Sequence, residues 1–354
     1  MKINFLTTRI SNASGGAIYD SNFFKILKEI YPEVNLFDDY YFIDKFSDGS
    51  GLISFNKYYR NSIDDLLQCD YLIINSRLYT RMMLFNVKNE LKKHPNTKLI
   101  VIHHHSNFMN NRYLLRLVHR FFEKRVLEAA SEIIIPNDYV VAQVKKDFNV
   151  KKIKVLPSSF EKKKHIISTL KSDYLLFVGN IEYRKGLLYG LKAFKMISDK
   201  RPGIKYRIVG KYDNNDPYYK KLIKYVVDNR MEEKVIFEGR VSEERLERLY
   251  ENAKLFLFPS LLEGYGWVLV EAMGHGVPVV SFDNSAMPYT VRNGINGVLV
   301  KNKSISEMAS KTLELIDDDA QMTRLQCGAL KTYEQVPSQE ELNIATDEYI
   351  RSWK

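Results

Sequence analysis

Short apolar runs recur along the whole chain, and most neighbouring pairs bracket a segment with helical spacing. KINFLT (2–7), VNLF (34–37), DYLIIN (70–75), KLIVIH (98–103), EIIIPN (132–137) and KIKVLP (152–157) fill the first half. DYLLFVG (173–179), KYRIVG (205–210), KVIFEG (234–239), KLFLFP (254–259) and VPVVSF (277–282) fill the second. Runs this short and this continuous suit strands buried on both faces. Their alternation with helical segments predicts an α/β chain whose sheets are parallel and covered by helices on both sides. At 354 residues there is room for two such domains, each with its own core.

The stretch Phe258–Val300 carries the most chemistry. Glu263 and Glu271 are separated by seven residues, Gly264 and Gly266 follow the first, and Gly274, Gly276 and Pro278 follow the second. On a single helix the two carboxylates would lie about 12 Å apart along the axis and about 80° apart around it. One small ligand would be hard to grip with both. The better reading puts Glu263 in a strand-to-helix loop and Glu271 inside a short helix, Trp267 to Met273. Gly264 and Gly266 let the backbone turn sharply there. The amides near Gly266, Trp267 and Val268 would point into the loop, an anion site at a strand's carboxyl end.

A second strand–loop–helix block, FVGNIEYRKGLLYGLKAF, carries Arg184, Lys185 and Gly186. Lys185 is expected at the first turn of the helix, where a cation disfavours the helix itself. Service to an anionic ligand explains that cost. Near the N-terminus, Gly15 and Gly16 open a helix directly after the first strand, again an anion-binding arrangement. His103, His104 and His105 end the KLIVIH strand. Neighbouring strand residues face opposite ways, so at most His103 and His105 could share a ligand. No Cys, Asp or Glu follows at metal spacing, and metal binding is not expected.

The pattern Glu263-x7-Glu271 after a Pro-Ser strand end, followed by EAMGHGVPVV, resembles the donor-binding signature of glycosyltransferase family 4. The resemblance is strong over residues 170–300 and loose over 1–170. It implies the GT-B fold: two Rossmann-like domains facing across a cleft. The expected division is an acceptor-side domain (1–160), a donor-binding domain (161–337) and a last helix (338–354) crossing back to the first. It also implies a retaining transfer of sugar from a nucleotide diphosphate sugar, UDP favoured over GDP, to a hydroxyl.

By the same resemblance Glu263, Gly264, Tyr265 and Gly266 meet the donor sugar, while Glu271 meets the ribose. The amides of Trp267 and Val268 meet phosphate oxygens, as do Lys185, Arg184 and the Gly15–Gly16 loop. His103 matches a histidine that lies near the donor sugar. The family's following Asp is His104 here. Its usual Gly-Arg is Gly179-Asn180, which leaves Asn180 where an arginine would bind phosphate, with Arg184 the candidate substitute. Its Pro-Glu is Pro288-Tyr289. No D-x-D motif appears where a metal-dependent transferase would need one, so no obligatory metal is expected.

Composition is that of an ordinary globular protein, 45% hydrophobic and 27% charged. Cys69 and Cys327 indicate neither a disulfide framework nor a cysteine zinc site. The N-terminal apolar run is too short for a signal peptide, and no run could span a bilayer. The expectation is a cytoplasmic protein. The net charge of +10 suits anionic partners without choosing among them. In residues 111–130, Leu114, Leu117, Val118, Phe121, Phe122 and Leu127 fall near one helical face. Arg112, Arg116, Arg120, Lys124 and Arg125 crowd the rest. Such a helix can lie on an anionic membrane, or be a core helix with a basic solvated face. The expected partners are a nucleotide-sugar donor, a glycan, lipid-linked or protein acceptor, and that membrane surface. No nucleic-acid module is recognisable. Two alternatives stand: a non-catalytic basic membrane- or nucleic-acid-binding protein, and another GT-B enzyme such as a nucleotide-sugar epimerase.

Overall fold

The computed structural model describes residues 1–7, 15–38, 66–76, 87–106, 113–157, 162 and 171–353. The tyrosine-rich stretch 40–60 and most of 158–173, read from the sequence as an interdomain linker, lie outside them. The chain divides into two units: Met1–Lys162 with Pro337–Lys354, and Lys163–Val336.

The first unit holds β1 (Ile3–Thr7), α1 (Gly15–Ile30), β2 (Asn35–Asp38), β3 (Tyr71–Asn75), α2 (Val87–Lys93), β4 (Lys98–Ile102), α3 (Tyr113–Ala129), α4 (Asp138–Asp147) and, around it, β5 (Glu132–Ile135) and β6 (Ile153–Val155). The six strands form one parallel sheet in the order β2-β1-β3-β4-β5-β6. Ile3, Phe5, Ile73, Ile100, Ile102 and Ile134 fill one face of it with Tyr19, Phe23 and Leu27 of α1.

The second unit continues with β7 (Tyr174–Val178), α5 (Leu187–Lys200), β8 (Lys205–Val209), α6 (Pro217–Asp228), β9 (Val235–Gly239), α7 (Glu243–Asn252), β10 (Leu255–Phe258), α8 (Trp267–Gly274), β11 (Val279–Asp283), α9 (Met287–Thr290), β12 (Gly297–Lys301), α10 (Ile305–Asp317) and α11 (Asp319–Gln335). Its strands are also all parallel, in the order β12-β11-β10-β7-β8-β9. The helices begin where local chemistry starts them. Asp216 accepts from the amides of Tyr218 and Tyr219 with Pro217 in the first turn of α6, and Ser242 caps α7.

After α11 the chain returns to the first unit as α12 (Gln339–Arg351), started by a Ser338–Glu341 capping box. Leu342, Tyr349, Ile350 and Trp353 join the first unit's core. The Tyr71 hydroxyl donates to the Trp353 carbonyl at 2.9 Å, and the two rings stack at 4.8 Å.

Each sheet has one place where the chain reverses its direction of strand addition. In the first sheet it lies between β1 and β3. In the second it lies between β7 and β10, which pair through Leu255 with Leu175 and Phe256 with Leu176. Loops leaving the carboxyl ends of two such strands diverge to opposite faces and leave a crevice, the usual ligand position in open α/β sheets.

Candidate active site

The β7 and β10 loops meet at that crevice. β10 is fully buried and delivers the chain into Pro259-Ser260-Leu261-Leu262-Glu263. Glu263 is buried, yet its Oε1 is surrounded by donors. Lys185 Nζ lies 2.6 Å away, Ser260 Oγ donates at 2.7 Å, and Arg184 Nη1 lies at 3.5 Å. Burial alone would raise this carboxyl. The Lys185 ammonium, the Arg184 guanidinium and the Ser260 hydroxyl together outweigh burial and hold it below the usual carboxylate range. Among the described residues none donates to Oε2. The Glu263 amide donates to Ser285 Oγ at 3.0 Å, Ser285 donates to Asn284 Oδ1 at 2.8 Å, and Asn284 Nδ2 donates to the Ser260 carbonyl at 3.1 Å. The loop is therefore tied to the loop after β11.

Lys185 is placed by a separate device. Tyr183–Lys185 form one 3₁₀ turn, which ends at Gly186 in the left-handed region, φ 65°. The turn docks onto the β10 loop. The Leu261 amide donates to the Arg184 carbonyl at 2.8 Å, and Ser260 Oγ, whose proton goes to the nearer Glu263, lies 3.2 Å from that carbonyl. A Cβ on Gly186 would sit 1.9 Å from the Pro259 carbonyl oxygen, so only glycine permits this approach. The expected position of Lys185, in the first turn of the helix, is corrected: α5 begins at Leu187, after Gly186. The lysine escapes the helix dipole and sits with its Nζ 5.2 Å from the Phe258 ring centroid. Arg184 and Lys185 are adjacent, yet both reach the same Glu263 oxygen. Successive residues of a 3₁₀ turn point about 120° apart, and two long side chains curve back across that angle. Arg184 is also held by Glu182 Oε2 at 2.9 Å. Asn180 is exposed.

Gly266 adopts φ 84° and precedes α8, so the backbone reverses immediately before the helix starts. Tyr265 and Trp267 rings lie 4.9 Å apart, Thr290 Oγ1 donates to the Tyr265 carbonyl at 3.1 Å, and Gly264 and Val268 are half-buried. Glu271 is half-buried within α8, and its Oε2 accepts from the Tyr250 hydroxyl at 2.8 Å. Burial first, and then the Glu271 charge, raise the Tyr250 phenol far above its ordinary value, so it stays a donor. Tyr250 in turn stacks on His275 at 5.3 Å. The sequence offered no signal for Ser260, Ser285 or Tyr250 as partners of the two glutamates. Tyr289 is exposed.

In the first unit Gly15 and Gly16 are the first residues of α1. β4 ends at Ile102, so the strand parity applied to the three histidines does not hold. His103 is fully buried, 3.3 Å from Ser106 Oγ, and burial pushes its imidazole down to about 3. It is His104, not His103, whose ring packs over Gly16 and bonds Asp20 Oδ1 at 2.7 Å. Among the described residues no group of His, Cys, Asp and Glu could hold a metal ion.

On α3 the single apolar face expected from the sequence is also corrected. Leu127 and Val126 are buried, as is Glu123, while Leu117 and Phe121 are half exposed. The Arg125 guanidinium lies 5.4 Å from the Phe121 ring centroid. Arg112 and the side chains of Leu114, Arg116 and Val118 lie outside the described residues. No helix among the described residues is long and apolar enough to cross a membrane.

Residues 158–331 match the family described as glycosyl transferases group 1. The poly(ribitol-phosphate) alpha-N-acetylglucosaminyltransferase of Staphylococcus aureus (strain COL) is 26% identical over 277 residues, 74% of this chain and 50% of that protein. The chain spans about half the length of the curated relatives it matches. In fold, it is similar to sucrose-phosphate synthase from Thermosynechococcus elongatus, with TM-score 0.81 and 17% identity over 100% of this chain and 99% of the other. It is also similar to Anabaena HepE, solved with UDP and glucose, with TM-score 0.73 and 17% identity over 99% and 100%. Two parallel-sheet Rossmann-like units and their solved neighbours show a GT-B fold, and the buried Lys185–Glu263 pair at the switch-point crevice lies within the stretch 158–331 that matches glycosyl transferases group 1.

Proposed function

We propose that this protein is a retaining glycosyltransferase that moves a sugar from a nucleoside diphosphate sugar to a hydroxyl of a glycan acceptor in surface polysaccharide synthesis. UDP is the preferred nucleotide. The observation that carries the reading is the Lys185 ammonium, 2.6 Å from Glu263 Oε1 at the β7/β10 switch point, with Arg184 beside it. HepE, solved with UDP and glucose, and the Staphylococcus aureus relative, named for N-acetylglucosamine transfer, support the nucleotide and the glycopolymer acceptor.

The difficult event is departure of the nucleoside diphosphate. The acceptor oxygen forms a bond to the anomeric carbon as the bond to the diphosphate oxygen breaks. The hydroxyl proton passes to the departing phosphate oxygen, so no side-chain base is required. Lys185, Arg184 and the first-turn amides of α8 stabilise the charge that grows on the leaving group. One unit charge at about 4 Å is worth about 4 kcal/mol at an effective dielectric of about 20, and about 1.4 kcal/mol is tenfold in rate. These groups supply that charge without a resident metal. Glu263 Oε2 takes a hydroxyl of the donor sugar, and Glu271, braced by Tyr250, takes the ribose. Leu117 and Phe121, exposed on α3 beside Arg120, Lys124 and Arg125, fit an anionic membrane bearing a lipid-linked acceptor.

The test is incubation with UDP-glucose, UDP-galactose and UDP-N-acetylglucosamine and octyl hexoside acceptors, followed by NMR of the product. Transfer with an unchanged anomeric configuration supports the proposal. An inverted anomer overturns the retaining step. Donor isomerisation without transfer overturns the transferase reading in favour of an epimerase.

A further inference from the structure

The carboxyl end of α8 carries a polar construction separate from the Lys185–Glu263 pair. Glu271 and His275 stand four residues apart, so they lie one above the other on a single side of the helix. Tyr250 of α7 reaches both. Its hydroxyl donates to Glu271 Oε2 at 2.8 Å, and its ring lies against the His275 imidazole at 5.3 Å, 10° from parallel. The Phe256 ring of β10 abuts it as well, at 6.0 Å. His275 is held in turn. Its Nε2 meets Glu247 Oε2 of α7 at 3.0 Å, and its carbonyl accepts from Lys171 Nζ at 3.0 Å. Lys171 also donates to the Glu251 carbonyl at 2.7 Å, which ties the ends of α7 and α8 together.

Fastening α7 to α8 does not require this arrangement. Tyr250 is 2% exposed and His275 1%, and apolar residues of similar size would pack the two helices as well or better. What the polar groups accomplish is to fix one direction. An ionised carboxylate only accepts, so Tyr250 must donate to Glu271, and His275 Nε2 must donate to Glu247. Burial first, then Glu271 and Glu247, keep the phenol protonated, so that donor persists at neutral pH. With its ring enclosed by His275 and Phe256, the Tyr250 hydroxyl has a fixed place. The Glu271 carboxylate that accepts from it therefore has a fixed orientation. A carboxylate on a bare helix face would sample several rotamers.

We infer that Tyr250 and His275 are positioning residues for the nucleoside: they hold the Glu271 carboxylate in the orientation that takes the ribose hydroxyls, and so set the preference of the site for ribonucleotides over nucleotides without those hydroxyls. The inference rests on the nucleotide-sugar reading and deepens it. All the groups concerned belong to the second unit. Tyr250 acts through Glu271 and not on the ligand, because its ring is covered and its hydroxyl proton goes to the carboxylate. A hydroxyl bonded to a charged, preoriented acceptor contributes about tenfold or more to affinity. The share due to orientation is lost when the acceptor is released to turn.

The test measures by calorimetry the affinity of UDP and of its dideoxyribose analogue, which lacks both ribose hydroxyls, for wild type, Tyr250→Phe, His275→Ala and Glu271→Ala. Wild type should prefer UDP by about tenfold or more, and Glu271→Ala should erase that preference. Tyr250→Phe, which removes one oxygen, should reduce the preference by about threefold or more, while the analogue binds within about twofold of its wild-type affinity. His275→Ala, which takes away one wall of the Tyr250 ring, should shift the preference in the same direction by less. Loosening of the fold would weaken both ligands alike, so an equal fall for the two in Tyr250→Phe overturns the inference. So does an undiminished preference in that variant, or a wild type that binds both nucleotides equally. If His275→Ala does not fold, Tyr250→Phe, nearly isosteric, decides alone. Wild type that binds neither nucleotide overturns the nucleotide reading itself, and the inference with it.

Discussion

Replacing Glu263 by Gln is the most informative single perturbation of the second unit. The side chain keeps its shape and an oxygen that can still accept from Ser260, but the negative charge is gone. Lys185 is then left with its side chain 10% exposed and no counter-charge, and Arg184, at 38%, loses a weaker and better solvated contact. Stranding one member of a buried pair costs about 3–5 kcal/mol. The retained Ser260 bond and the partial exposure of Arg184 argue for the lower end, about 3 kcal/mol. Removing the lysine as well, in Lys185→Met with Glu263→Gln, takes away both charges, so the double variant should be less destabilised than the two single losses summed, by about 2 kcal/mol or more. The assay is urea denaturation of the four proteins, read as midpoint shifts at constant slope. The pH dependence follows from sign. Glu263 has a folded pKa below its unfolded value of about 4.3. Its contribution is therefore full above that unfolded value and is lost as pH falls through the lower folded one. Between pH 5 and 8 the gap between wild type and Glu263→Gln should be flat, and it should close on acidification below about pH 4. Single losses under about 1 kcal/mol that simply add would refute the claim that a desolvated ion pair organises this crevice.

Lys185→Ala should lower turnover about a hundredfold or more, the cost of removing one preorganised donor to a developing anion; steady-state kinetics at saturating donor checks it. Gly186→Ala places a methyl 1.9 Å from the Pro259 carbonyl and requires a left-handed backbone, so it should lose at least about 2 kcal/mol of stability by denaturation together with most activity. Leu117→Ser with Phe121→Ser removes two exposed apolar side chains and should reduce sedimentation with phosphatidylglycerol vesicles severalfold while leaving UDP affinity unchanged.

Much of this architecture is written locally in the chain. The continuous apolar runs identify the strands because a parallel strand covered on both faces has no polar side to show. Glu263 in a loop and Glu271 in a helix follow from the glycines between them. What stays illegible depends on which strands become neighbours. Lys185 and Glu263 stand 78 positions apart, and they meet only because β7 and β10 pair, a fact of sheet order that no local pattern encodes. The Tyr250–Glu271 bond joins two helices and has the same origin. The alternation applied to the three histidines fails for a smaller reason: β4 stops at Ile102, one residue early, so His103 to His105 do not follow strand geometry. The α3 face failed because Glu123 is buried and Leu117 and Phe121 are not, the reverse of their hydrophobicity.

On the proposed function, Lys185, Glu263 and Glu271 form a nucleoside diphosphate site. The direct measurement is thermal unfolding of the protein with UDP, GDP and ADP, alone and as their common sugars, beside Glu271→Ala. A ligand at a hundredfold its dissociation constant stabilises by about 2.7 kcal/mol, which for a unit of this size is a shift of about 5–10 °C. Such a shift is expected with UDP and UDP-sugars, a smaller one with GDP, and a loss of most of it in Glu271→Ala. No shift with any nucleotide at millimolar concentration, or an undiminished shift in the variant, would contradict it.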